Sequence, residues 1–212
     1  LLTMRIRQTC ALLLLLALPA AGQQMVDRVL ARVGDVIITR SEVDELGRFQ
    51  QLVDGHAQSA AVRLSELIEQ AIVARETALA DFSAPAPERV EQAYRELQAR
   101  FGSPAAFARR LAELGLSDRR VRWYLQRSLL LNGFLEQRFR PEVVVTDQQI
   151  EQYYRQEFVP GLQRRGLPVP PLPQVEDQIR EVLTERAINH RFAAWLEQMR
   201  AEVKVERVGE AD

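Results

Sequence analysis

The sequence predicts a mostly α fold: a multi-helix module with a small β-sheet formed by an N-terminal hairpin and a C-terminal strand. Three observations carry this reading. Branched apolar residues gather near both ends, at Val29-Leu-Ala-Arg-Val33 with Val36-Ile-Ile-Thr39, and at Val203-Lys-Val-Glu-Arg-Val208, where apolar and polar residues alternate. Between the two ends, apolar residues recur at helical spacing. Ser, Thr, Pro and Gly stand where those helical runs begin and stop.

Taken in order, Gly34-Asp35 supplies a tight turn, so residues 27–39 read as two short strands. Ser41-Glu-Val-Asp44 offers an N-cap with an acid three residues later, and a helix is expected over about 42–52. Val62, Leu64, Leu67, Ile68, Ala71, Ile72 and Leu79 make one apolar stripe on a long helix within 59–80. Pro85 and Pro87 separate it from a helix over about 88–101. Ser103 then caps a helix with Pro104 in its first turn, where the missing amide does no harm. Gly115 ends that helix, and Ser117-Asp118 opens a longer one reaching about Phe139.

Pro141 closes the long helix, Val143–Val145 is a brief extended link, and Thr146-Asp-Gln-Gln149 is a capping box before a helix over about 147–158. Pro160, Pro168, Pro170, Pro171 and Pro173 predict a linker or long surface loop over 159–173, because proline removes amides and restricts its predecessor. The last helix, over about 174–199, shows Val175, Ile179, Val182, Leu183, Ile188, Phe192, Trp195, Leu196 and Met199 on its apolar face. A lone hairpin is marginal in water. The terminal strand is therefore expected to join the first two and close the chain on itself.

Residues 1–22 have the order of a secretory signal peptide: Arg5 and Arg7, an apolar run over 11–18, then Pro19-Ala-Ala-Gly22. Translation is read from Met4, with cleavage after Gly22. The apolar run is too short to span a bilayer, which needs about 20 residues. Removing the leader takes away Cys10, the one cysteine, which suits an oxidising periplasm without permitting disulfides. Counted over the whole chain, 28 Lys+Arg against 29 Asp+Glu give a net charge of -1, so a general nucleic-acid binder is not expected. Lys204 is the only lysine.

Two histidines, His56 and His190, stand far apart and without the H-E-x-x-H spacing of a metal site. No G-x-S-x-G elbow, phosphate-binding glycine loop or dinucleotide fingerprint is present. Acid pairs such as Glu42/Glu45 and Glu66/Glu69 read as solvated helix faces. The arginines Arg109, Arg110, Arg119, Arg120 and Arg122 are interrupted by Glu113 and Asp118 and read the same way. No catalytic, cofactor-binding or metal-ligating residue is assigned, and no cofactor is expected. The aromatics are spread over every helix, mostly as core. Phe49, Tyr94, Phe101, Phe107, Trp123, Tyr124, Phe134 and Tyr154 are the candidates for lining a groove, since long amphipathic helices can cradle extended chains without a strict code.

The stretch Val26-Asp-Arg-Val-Leu-Ala-Arg-Val-Gly-Asp-Val-Ile-Ile-Thr-Arg-Ser-Glu-Val-Asp44 resembles the opening strands and first helix of the SurA/PrsA-like family of exported folding factors. Leu67-Ile-Glu-Gln-Ala-Ile-Val-Ala-Arg-Glu76 resembles its second helix. Phe107 to Tyr154 is similar to the family's short helix, long helix and Val143-Val-Val-Thr-Asp-Gln-Gln-Ile-Glu-Gln-Tyr-Tyr154 course. Trp195-Leu-Glu-Gln-Met-Arg-Ala-Glu-Val-Lys-Val-Glu206 resembles its closing helix and strand. The resemblance implies a chaperone domain over 23–158, with residues 174–212 packing back on it. Typical members carry parvulin-type prolyl isomerase domains where this chain has only 159–173, so the isomerase activity is not carried over.

What the resemblance does imply is an ATP-independent periplasmic holdase for unfolded exported polypeptides, outer-membrane proteins above all, with no nucleic acid and no membrane insertion. Two alternatives stay open: a structural or assembly protein for one dedicated partner, and a relative with residual isomerase activity. Helices joined by a proline loop also allow a domain-swapped homodimer.

Overall fold

The computed structural model describes residues 27–80 and 82–209; the expected leader, residues 1–22, lies outside them. Strands β1 (Val29–Val33) and β2 (Val36–Thr39) form the hairpin, turning at Gly34, whose φ of +56° favours a residue without a side chain. Strand β3 (Val205–Arg207) pairs with the other edge of β1, giving an antiparallel sheet of order β2-β1-β3. Val33 lies opposite Val36 on one side and Val205 on the other. A register shift between Val29 and Ala31 breaks the alternation, and Leu30 and Ala31 are both buried.

Helix α1 (Arg40–Val53) begins earlier than its sequence suggests. Thr39, not Ser41, is its N-cap, and Glu42 reaches back to accept from the Thr39 N–H at 2.9 Å. Ser41 is drawn off by Asp27, which accepts from both its amide and its hydroxyl. Helix α2 (Ala60–Leu79) is capped by Ser59, and α3 (Pro87–Ala99) starts on its proline. Ser103 accepts from the Ala106 N–H to start α4 (Pro104–Leu114), which ends at Gly115 with φ +62°. Ser117 does the same for α5 (Asp118–Arg138) through the Arg120 N–H. Thr146 and Gln149 form the expected capping box of α6 (Asp147–Tyr153).

The expected proline linker over 159–173 is not a loop throughout. Helix α6 passes into a wider π turn at Tyr154–Phe158 and continues as α7 (Val159–Arg164), which contains Pro160. In a regular helix the proline ring meets the carbonyl four residues back. Here the Val159 N–H bonds to the Tyr154 carbonyl five residues back, and this widening makes room for the ring. Pro173 is likewise harmless in the first turn of α8 (Leu172–Glu202). Only residues 165–171 form the connection, with Gly166, Pro168, Pro170 and Pro171 in it.

The fold is thus mostly helical, with a small antiparallel sheet that joins the two ends of the described chain. Helix α8, 31 residues and about 46 Å long, ties three apolar clusters together. The largest holds the sheet, α1–α4, the start of α5 and the C-terminal end of α8, around Leu30, Val43, Ile72, Phe107 and Val121. The second joins α2, α5 and α8 through Val73, Phe134, Phe139 and Ile188. The third joins α6 and the first half of α8 through Ile150, Val175 and Ile179, forming a separate helical tip. Among the described residues, no helix is long and apolar enough to cross a membrane.

Candidate binding groove

The segment linking α2 to α3 runs beside α5. Phe82 packs edge-on to Phe134 at 6.1 Å and against Gly133, while Pro85 and Pro87 reach the level of Trp123, some ten residues nearer the start of α5. Where this segment enters α3, an open groove of about 360 Å³ lies between α3 and α5. Pro85, Pro87, Val90 and Trp123 line it with apolar groups, together with Glu91, Arg119, Arg122 and Gln126, and most of its surface is apolar.

Trp123 is held rigidly. The guanidinium carbons of Arg120 and Arg127, one turn before and after it, lie 4.3 and 4.6 Å from its ring centroid. Tyr124 meets the indole edge-on at 4.9 Å. Arg120 is fixed in turn by an ion pair with Glu45, and Arg122 by Glu91 while it stacks on Tyr94 at 3.7 Å. The Tyr94 hydroxyl donates to Asp118; burial and that hydrogen bond push its pKa up to about 12. The arginine cluster is therefore divided, with Arg110 paired to Glu113 and Arg109 and Arg119 exposed.

Of the eight aromatics expected to line a groove, five pack inside the protein. Phe49, Tyr94, Phe107, Tyr124 and Phe134 are buried, with Phe49 stacked on Tyr124 at 4.7 Å and Phe107 edge-on to Tyr94 at 5.6 Å. In this conformation they are part of the core clusters. Phe101 is half-buried against Phe107, and Tyr154 is half-buried at the tip, donating to the Pro170 carbonyl at 2.8 Å. Trp123 alone among them lies at the groove. His56 sits exposed beyond α1 beside the Asp54 carbonyl, and His190 is exposed on α8.

A polar chain crosses α1, α2 and α5 and is assembled from all three. The Gln58 N–H donates to Gln50 Oε1 (2.9 Å), Gln50 Nε2 to Glu66 Oε2 (2.9 Å), Gln70 Nε2 to Glu66 Oε1 (3.1 Å), and Arg127 Nε to Gln70 Oε1 (3.0 Å). Gln70, a polar residue on the edge of the α2 stripe, is the one sequence hint. Burial holds the Glu66 carboxyl above the ordinary 4.5, as it does that of Glu69. A raised carboxyl binds its proton more tightly when folded, so its stabilising contribution is full below the ordinary value and is lost as pH rises through the folded one. The stability of the wild type relative to Glu66→Gln is therefore expected to fall as pH rises above the ordinary carboxyl value of 4.5. Thermal melts of both proteins from that value upward check it, and a flat or rising difference contradicts the burial of Glu66.

No family model and no curated protein matches the chain. What the geometry defines is a helical scaffold with an open apolar groove against a rigidly held indole. Among the described residues, no three His, Cys, Asp or Glu side chains converge in a way that could hold a metal ion.

Proposed function

We propose that the chain is an ATP-independent holdase of the periplasm, related to the chaperone module of the SurA/PrsA-like folding factors, that binds unfolded exported polypeptides. The observation that carries this reading is the groove between α3 and α5. Its surface is mostly apolar, so it selects by shape and hydrophobicity and not by a fixed set of hydrogen bonds. Four apolar side chains bury little client surface, which suits the modest affinity and quick release a holdase needs. The leader-like residues 1–22 support export.

The test is aggregation suppression without ATP by the chain from residue 23 onward, with an unfolded outer-membrane protein and an unrelated soluble protein as clients. Both are expected to be protected. Gln126→Tyr, at an exposed groove position, should fill the groove and weaken protection several-fold without altering the melt. Protection of neither client overturns the reading and moves the function toward a dedicated assembly partner.

A further inference from the structure

The groove between α3 and α5 is unevenly charged. Two arginines and one glutamate line it, Arg119, Arg122 and Glu91, while Gln126 and the apolar side chains are neutral. Arg122 and Glu91 cancel, because they form an ion pair between the two helices. Arg119 is left over. It is exposed and, among the described residues, has no ion-pair or hydrogen-bond partner, whereas Arg110 and Arg120 on either side of it in sequence are paired to Glu113 and Glu45. Asp118, its neighbour in the chain, accepts from the Tyr94 hydroxyl. Glu88, the acid in the first turn of α3, does not line the groove.

The surplus charge belongs to one end. Arg119 precedes Trp123 by four residues on α5, about 6 Å along the axis, and the neutral Gln126 lies beyond Trp123 on the other side. In an extended chain, residues two apart point the same way and stand about 7 Å from each other. An apolar side chain seated against the Trp123 indole therefore brings the residue two places along to Arg119. A carboxylate there meets a guanidinium with no other counter-charge, and a basic side chain is repelled. At about 360 Å³, the groove is at the small end of ligand-holding clefts, so it admits a short extended segment and not a folded surface.

We infer that the groove prefers segments in which an acidic residue stands two places from a large apolar one, with the apolar side chain on Trp123 and the carboxylate on Arg119, which sets this specificity. This deepens the holdase reading and rests on it, since it states which stretches of an unfolded chain are held here. The preference is a bias of a few-fold, because the pair it forms is open to water.

The experiment is calorimetric titration of the full chain with three end-blocked peptides of one sequence around a central leucine. They differ only at the positions two places to either side of it, which carry Asp, Asn or Lys. The Asp peptide is expected to bind about three- to fivefold more tightly than the Asn peptide, the size of one exposed ion pair, and the Lys peptide more weakly than both. In 1 M salt, where the screening length is about 3 Å, the three should converge. Arg119→Gln should equalise the Asp and Asn peptides, and Arg119→Glu should reverse their order; Arg119 is exposed, and melting curves check that both variants fold. Equal affinities on the wild type, or a preference for Asp that survives in Arg119→Gln, overturn this inference and leave the holdase reading standing. Binding of no peptide overturns it too, and the aggregation assay then judges the holdase reading separately. Sedimentation showing a dimer that Gln126→Tyr dissociates, with all peptides inert, assigns the groove to a second copy of the chain instead.

Discussion

Phe134→Ala is expected to destabilise the protein by about 3–5 kcal/mol, the range for removing a buried phenylalanine ring. Phe134 is 7% exposed and meets three other aromatic side chains: Phe82 at 6.1 Å, Phe139 at 5.9 Å and Trp195 at 5.2 Å. Those partners come from the α2–α3 link, the end of α5 and α8, so one truncation loosens three connections. Collapse around the void is limited because Phe139 and Trp195 already pack on Phe192. Urea unfolding followed by tryptophan fluorescence measures the loss. A change under about 1 kcal/mol would show that the aromatic cluster does not hold α8 to the body.

Ile179→Asp should have a larger effect, confined to one region. Ile179 is 1% exposed within the small cluster of Ile150 and Val175. A carboxylate there has no basic partner in the apolar contact, and its burial costs several kcal/mol. Beyond this cluster and the half-buried Tyr153, Phe158 and Leu183 packed on it, the links between α6–α7 and α8 are surface ones: Arg180 to Asp147 and to the Val145 carbonyl, and Arg186 to Glu157 and over Tyr153. Exposed pairs of this kind contribute about 0–1 kcal/mol each and cannot hold the tip. Amide exchange is expected to quicken by orders of magnitude over 147–164 and the first half of α8, while α1–α4 keep their protection. Equal loss throughout would mean that tip and body open as one unit.

Much of the fold was legible because local chemistry fixed it. Ser103 with Pro104, Gly115, Ser117, and Thr146 with Gln149 each mark a helix end with groups that act within one turn, and the structure uses each as read. The first helix shows the limit of that reading. Ser41 and Thr39 both have an acid three residues on, and Asp27, from outside the helix, decides between them by engaging Ser41. Pro160 shows another limit, since a breaker in a regular helix is accommodated by a π turn that no residue announces.

The site was less legible than the fold. Periodicity marks Phe107, Tyr124 and Phe134 as apolar-facing but does not say whether a helix or a ligand will cover them, and helices cover all three. Trp123 was visible as an aromatic, whereas its groove depends on Pro85, Pro87 and Val90, brought in from another element. The hydrogen bond from Arg127 Nε to Gln70 likewise depends on α2 packing beside α5, which neither segment announces.

The sheet has a consequence for biosynthesis. Val33 pairs with Val205, so β1 waits for β3, with nearly all of the described chain between them. Closing so long a loop is entropically costly and slows the search. A nascent chain can assemble its helices while β1 still presents an open edge, and a product cut short before β3 never covers it. The fold thus acts as a check on synthesis through β3: the sheet is finished only when residues as far as Arg207 have been made.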